Sequence, residues 1–304
     1  MKKADVDVRR LADSLADRLR LVSLDLAPLD VKCAWPVFKG TSFGQNPMFV
    51  KVTSPAAAER TLSFLRSADV RCDLLPRPIL TEAFGFDGFA VLCLEWKDVR
   101  TVNAEDMSDT QLEGFLAGCR RLSEVLANYR GLVVEPSEDA PEMQYSALAG
   151  YASRHRLWGR LLVPLLDIPE HERVYRGHAL TVIHGDLQPK NYGFDGDRLA
   201  AIFDTDDLTR GLPCEDAAYA FTERARRSEL SECARRRLLD NFRKMVAESP
   251  WSKDEWLIAV NHARLRIAAR RLENHPDSFL IALDIARRDK PLRELVAVLK
   301  ECHA

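Results

Sequence analysis

Between residues 184 and 204 the chain carries a carboxylate, an amide and a second carboxylate in an order that suits phosphoryl transfer. In His184-Gly185-Asp186-Leu187-Gln188-Pro189-Lys190-Asn191, Asp186 and Asn191 stand five positions apart after a short apolar run, and Asp204 closes the hairpin that follows. Phosphoryl transfer requires positioning and charge neutralisation: a base receives the proton of the attacking hydroxyl, and hard oxygen ligands hold magnesium on the phosphates. Asp186 is the candidate base, and Asn191 and Asp204 are the candidate metal ligands. Alone, each would read as a turn cap or a strand end. Together, in this order and with a hairpin between them, they point to chemistry.

The elements that must position these residues follow from periodicity. Leu180-Thr181-Val182-Ile183 predicts a strand entering the loop, and Tyr192-Gly193-Phe194 and Leu199 to Phe203 predict a hairpin turning at Asp195-Gly196-Asp197. Upstream, residues 4 to 23 place Val8, Leu11, Leu15, Leu19 and Val22 at helical spacing. Short strands are expected at Val31-Lys32-Cys33, Val37-Phe38-Lys39 and Met48 to Val52. A helix capped by Ser54 with Pro55 at its first position is expected over 54–66. Strands over Ile79–Phe84 and Phe89–Leu94 flank the turn residues Gly85-Phe86-Asp87-Gly88. From the capping box Ser108-x-x-Gln111 onward the period is helical, with further helices near 143–163, 230–248, 253–273 and 279–302. The change of period marks a boundary at residues 96 to 100 and divides the chain into 1–96 and 97–304.

The strings HGDLQPKN and IFDTDD resemble the catalytic and metal-binding motifs of the aminoglycoside phosphotransferase and choline kinase group. The resemblance covers most of residues 30 to 220. It implies an α+β, bilobal protein-kinase-like fold, with a small antiparallel-sheet N-lobe and a larger, mainly helical C-lobe. It also implies ATP and Mg2+ in the cleft, Asp186 as catalytic base, and Asn191 and Asp204 on the metal. By the same resemblance Lys51 contacts the nucleotide phosphates and is held by Glu59 on the following helix. Backbone groups near Glu95 and Trp96 take the place of the hinge that binds adenine. Asp216 is expected to brace the catalytic loop and His184 to orient it. No G-x-G-x-x-G precedes Lys51, and residues 43–47 fit a hairpin turn as well as a phosphate cover. Asp206 and Asp207 read either as a second metal contact or as solvated loop acids.

Lysine and arginine nearly cancel aspartate and glutamate, 44 against 46, so the charge calls for no nucleic acid and no anionic membrane. Seven dispersed cysteines without a C-x-x-C pair read as free thiols in a reducing cytoplasm. The first residues do not resemble a signal peptide, and no apolar run approaches the roughly 18 to 20 residues of a membrane span. The expected partner is a small-molecule hydroxyl acceptor, a sugar or related metabolite in preference to a polycationic aminoglycoside, because the helices after residue 230 are rich in arginine. Two rivals stand beside this reading: a protein kinase, disfavoured by Gly185 and by Asp204-Thr205-Asp206, and a catalytically silent kinase-fold binding protein.

Overall fold

The computed structural model describes residues 6–29, 35–67, 72–131, 150, 178–227, 230–274 and 279–301. The expected strand at Val31–Cys33 and, apart from Gly150, the helix near 143–163 lie outside the described residues.

The first lobe is a five-stranded antiparallel sheet in the order β1-β2-β3-β5-β4. Its strands are β1 (Asp25–Pro28), β2 (Val37–Thr41), β3 (Met48–Thr53), β4 (Phe84–Phe86) and β5 (Phe89–Glu95). Side chains alternate across such a sheet. Val50 and Val52 therefore join Phe38, Val91 and Cys93 in a core with Leu11 and Leu15 of helix α1 (Val8–Leu19). Phe49 and Lys51 point the other way, toward the cleft. Helix α2 (Pro55–Arg66) follows β3 and starts where Ser54 accepts the amide of Ala57 at 3.3 Å.

The sheet corrects two expectations. The turn between β4 and β5 is the two residues Asp87 and Gly88, both at positive φ (49° and 81°), so Gly85 and Phe86 are strand, and the strand begins only at Phe84. Asp-Gly is the preferred pair for a two-residue turn whose twist matches its strands, and it prevails over a four-residue loop. Strand β1 is an additional strand, lying ahead of the first one expected from the sequence. Residues 42–47 join β2 to β3, and none of them lines the cleft.

Past β5, Arg100 and Phe194 exchange backbone bonds of 3.0 and 2.8 Å, which fasten the linker to the hairpin β7 (Tyr192–Asp195) and β8 (Arg198–Ile202). Strand β6 (Thr181–Ile183) pairs antiparallel with β9 (Thr209–Gly211). Around these strands lie α3 (Asp109–Asn128), α4 (Glu215–Ala225), α5 (Glu232–Glu248), α6 (Lys253–Asn274) and α7 (Phe279–Glu301). Their core includes Phe115, Tyr192, Phe221, Phe242 and Trp256, all fully buried. Some arginines of these helices are internal. Arg264 on α6 pairs with Asp289 on α7 at 2.6 Å with both side chains buried, and Arg224 on α4 grips Glu105 beside the linker.

Candidate active site

Strand β6 delivers the chain to His184, which is fully buried. The amides of His184 and Gly185 donate to the two oxygens of Asp216 at 2.8 and 2.9 Å, so the first turn of α4 braces the loop as expected. Burial pushes the Asp216 carboxyl up in pKa, while His184 and the two amides act to keep it charged. The His184 Nε2 lies 2.8 Å from the Phe203 carbonyl and must be the donor there. Its Nδ1 is then the acceptor for the Asp186 amide at 3.3 Å, so the ring orients the loop by its tautomer.

Gly185 has a φ of +80°. A Cβ there would lie 2.5 Å from the Asp207 carbonyl oxygen, so an arginine, as protein kinases have before the catalytic aspartate, does not fit. Past this bend the Asp186 carboxylate receives Gln188 Nε2 at 2.8 Å on each oxygen and Asn191 Nδ2 at 2.9 Å. Asn191 also donates to the Asp186 carbonyl at 2.8 Å. With both bonds made through its nitrogen, the amide oxygen of Asn191 is the atom left for a cation.

Asp204 stands after β8 in the left-handed region (φ 64°), a conformation aspartate tolerates better than most residues. Its carboxylate pairs with Lys51, which also donates to Asp206 at 2.6 Å. Burial alone would raise the Asp204 carboxyl, but the Lys51 ammonium overrides it, and the group titrates below its ordinary range. Burial likewise opposes the charge on Lys51, and Asp204 and Asp206 together hold its pKa up. Asp207 is open to solvent on its surface but crowded by protein atoms. That crowding, and then the charges of Asp186, Asp204 and Asp206, push its carboxyl up.

Lys51, Asn191, Asp204 and Asp206 form the polar end of a cleft of about 290 Å³ whose other end is apolar, with Val37, Phe49, Leu92 and Leu94. Trp96 and Lys97 line it from the linker, and Lys190 from the catalytic loop. The Glu95 side chain turns away to Lys97 at 3.3 Å, and its amide donates to the Arg77 carbonyl at 2.7 Å. Trp96 carries Lys39 over its ring at 4.6 Å, and its buried indole Nε1 has no hydrogen-bond partner among the described residues.

One expected contact is not made. Glu59 is exposed on α2, and among the described residues the carboxylates on Lys51 are Asp204 and Asp206. Position 59 lies about 200° around the helix from Thr61, whose side chain does reach the cleft. The sequence reading passed over Thr61 and gave Asp206 no part in holding Lys51. The available signal was the i, i+4 pair Thr61 and Leu65, which marks the cleft-facing side of α2.

A sheet lobe, a helical lobe and a cleft between them ending in lysine, asparagine and aspartates define a phosphotransferase of protein-kinase-like fold. The chain belongs to the phosphotransferase enzyme family APH, whose family model matches residues 37–251. No curated protein sequence matches it. Among solved structures it resembles the amicoumacin kinase hAmiN in complex with AMP-PNP, Ca2+ and Ami, at 14% identity over 92% of each chain with a TM-score of 0.61. It also resembles a thermostable mutant of aminoglycoside phosphotransferase APH(4)-Ia in ternary complex with ADP and hygromycin B, at 15% identity over 95% of this chain and 99% of that one (TM-score 0.59). A third is a putative aminoglycoside phosphotransferase from Ralstonia eutropha, at 15% identity over 95% and 98% of the two chains (TM-score 0.57).

Proposed function

We propose that the protein transfers the γ-phosphoryl group of ATP, with Mg2+, to a hydroxyl of a small molecule. The observation that carries this reading is the Asp186 carboxylate, fixed by Gln188 and Asn191 next to a cleft end formed by Asn191, Asp204 and Lys51. The acceptor oxygen attacks the γ-phosphorus while its proton passes to Asp186, the bond to the bridging oxygen breaks, and ADP leaves with that oxygen. Lys51 binds the nucleotide phosphates, and the backbone around Glu95 and Trp96 binds the base. The lobes divide into residues 1–96 and 97–304.

Asn191 and Asp204 would hold the metal. Their donors are an amide oxygen and a carboxylate, which suit Mg2+ and not a thiolate-seeking ion. Among the described residues no group of three or more His, Cys, Asp or Glu side chains forms a cage of its own, and nucleotide phosphate oxygens would be further hard ligands of the kind Mg2+ prefers. When bound, the metal neutralises charge on the phosphates.

The small-molecule class is supported by the neighbours held with nucleotide and hygromycin B or Ami. A sugar or related metabolite is our preferred acceptor. Protein kinase activity is disfavoured because the Gly185 bend leaves no room for an arginine. A silent scaffold is disfavoured by the constraints on Asp186, which a binding protein does not require. Buried free thiols at Cys93, Cys119 and Cys214 support a reducing, cytoplasmic setting, and among the described residues no helix is long and apolar enough to cross a membrane. The test is ADP release across a panel of hydroxyl compounds with and without Mg2+. Metal-dependent release with at least one small acceptor is expected, and phosphorylation of proteins alone would overturn the reading.

A further inference from the structure

We infer that Asp206 is the residue that positions Lys51, acting from the loop after β8 in place of a glutamate on α2, with Thr61 as its hydroxyl support. The inference rests on the proposed nucleotide role of Lys51.

Asp206 Oδ2 accepts from Lys51 at 2.6 Å and from the Thr53 hydroxyl at 3.4 Å, and Oδ1 accepts from the Thr61 hydroxyl at 2.7 Å. Its carbonyl accepts from Arg60 Nε at 3.2 Å. One residue thus gathers β3, through Lys51 and Thr53, and α2, through Arg60 and Thr61. The side chains of Lys51 and Asp206 are only 9% and 13% exposed, so water competes weakly for the pair.

Two physical arguments make Asp206 the positioning group and not Asp204. Asp204 is the proposed metal ligand, and a cation drawn onto its carboxylate competes with Lys51 for the same oxygens. A lysine anchored there alone would lose its anchor as metal and nucleotide arrive. The ammonium has three donors, so Lys51 can keep Asp206 while it turns another N–H to a phosphate. The second argument is geometric. The cleft-facing side of α2 is occupied by Thr61, which carries no charge and whose hydroxyl donates to Asp206, whereas Glu59 projects to solvent. The acid has therefore been supplied by the loop, and the threonine holds that acid. Asp206 is therefore not a solvated loop acid.

Three measurements test this. Without nucleotide, a double-mutant cycle of Lys51→Met and Asp206→Asn is followed by thermal denaturation beside the cycle of Lys51→Met and Glu59→Gln. The first pair should be non-additive and the second additive. In steady state, Asp206→Asn should raise KM for Mg-ATP about 10- to 100-fold, the scale of a hydrogen bond to a charged group, with a smaller change in kcat. Thr61→Val should raise it a few-fold, and Glu59→Gln should leave it unchanged. Placing the acid on the helix, in the double variant Thr61→Glu with Asp206→Ala, should recover about tenfold over Asp206→Ala alone. Additivity in the first cycle, or equal effects of Asp206→Asn and Glu59→Gln, overturns the inference. If Asp206→Asn does not fold, the contrast between Thr61→Val and Glu59→Gln decides, and equal KM values overturn it. A parent protein that binds no Mg-ATP would instead refute the proposed function, and the nucleotide-free cycle would still judge Asp206.

Discussion

A carboxylate at the end of a strand is commonly a turn cap; Asp186 differs in that other side chains cap it. Gln188 and Asn191 hold both its oxygens, and the His184 tautomer and Asp216 hold the backbone beneath it. Such a group is oriented for proton transfer, and Asp186→Asn should keep the fold and Mg-ATP binding while losing roughly 10² to 10⁴ in kcat, the usual worth of a placed base. Turnover near that of the parent would reassign the proton. Asp204→Ala should abolish metal-dependent nucleotide binding, and Asp207→Ala should reduce it far less, because Asp204 lines the cleft and Asp207 does not. Titration of each variant with Mg-ATP decides, and equal losses would move a ligand to Asp207. The Lys51 pair also has a pH signature. Asp204 is lowered from 3.8, so its contribution to stability is present above that value and is lost as pH falls through the lowered one. Lys51 is raised from 10.5, so its contribution is present below that value and is lost as pH rises through the raised one. The stability deficit of Lys51→Met should therefore be level between about pH 5 and 9 and shrink in stronger acid, as read by urea denaturation.

Elements with a local signature were legible before any coordinate. Helix α3 begins at the predicted capping box, in which Ser108 Oγ accepts the Gln111 amide at 3.2 Å and Gln111 returns the bond at 3.1 Å. The hairpin of β7 and β8 and the helices α5, α6 and α7 likewise fall where their periods placed them. Strand β9 escaped notice because it has three residues and pairs with β6, far back in the chain, so nothing local marks it. Helix α4 escaped for the opposite reason. Ala217, Ala218, Ala220, Phe221, Thr222 and Glu223 are all buried, so burial is spread over most of this eleven-residue helix and polar residues share the enclosed surface with apolar ones. The two kinds of helix contact also differ in energy. Ser108→Ala should cost about 1 kcal/mol, the worth of an N-cap. Asp289→Ala should cost about 3–5 kcal/mol, because it leaves the buried Arg264 guanidinium without its carboxylate and removes the partner of Arg293 on the same helix. Denaturant midpoints of the two variants check the order, and a reversal would mean the buried pair is not what joins α6 to α7.

At the scale of the whole molecule, the catalytic half of the site was legible and its nucleotide half only in part. Asp186, Asn191 and Asp204 lie within one short stretch of chain, whereas Lys51 meets its partners across more than 150 positions, so the family resemblance suggested Glu59 on the following helix and the fold supplied Asp206. The acceptor depends on a similar long-range account of charge. The arginines after residue 223 do not form the open positive wall their number suggests, since Arg224, Arg226, Arg235 and Arg264 are paired with Glu105, Glu223, Glu294 and Asp289. What faces the catalytic loop from α6 is Arg266, which lies over the Tyr219 ring at 4.2 Å and donates to the Gly185 carbonyl at 3.0 Å. That places a fixed cation beside the residue that precedes the base. A polycation approaching Asp186 from this side meets the Arg266 guanidinium, whereas a neutral or anionic hydroxyl compound meets no repulsion from it. Sugars and sugar-derived metabolites should therefore show a kcat/KM at least tenfold above kanamycin-like aminoglycosides, a difference of about 1.4 kcal/mol in transition-state binding. Arg266→Gln should narrow the ratio by raising the aminoglycoside value, with protein stability followed in parallel because the Gly185 contact is lost as well. Efficient turnover of aminoglycosides at micromolar concentration with none of neutral sugars would place the charge that governs acceptor choice somewhere other than Arg266.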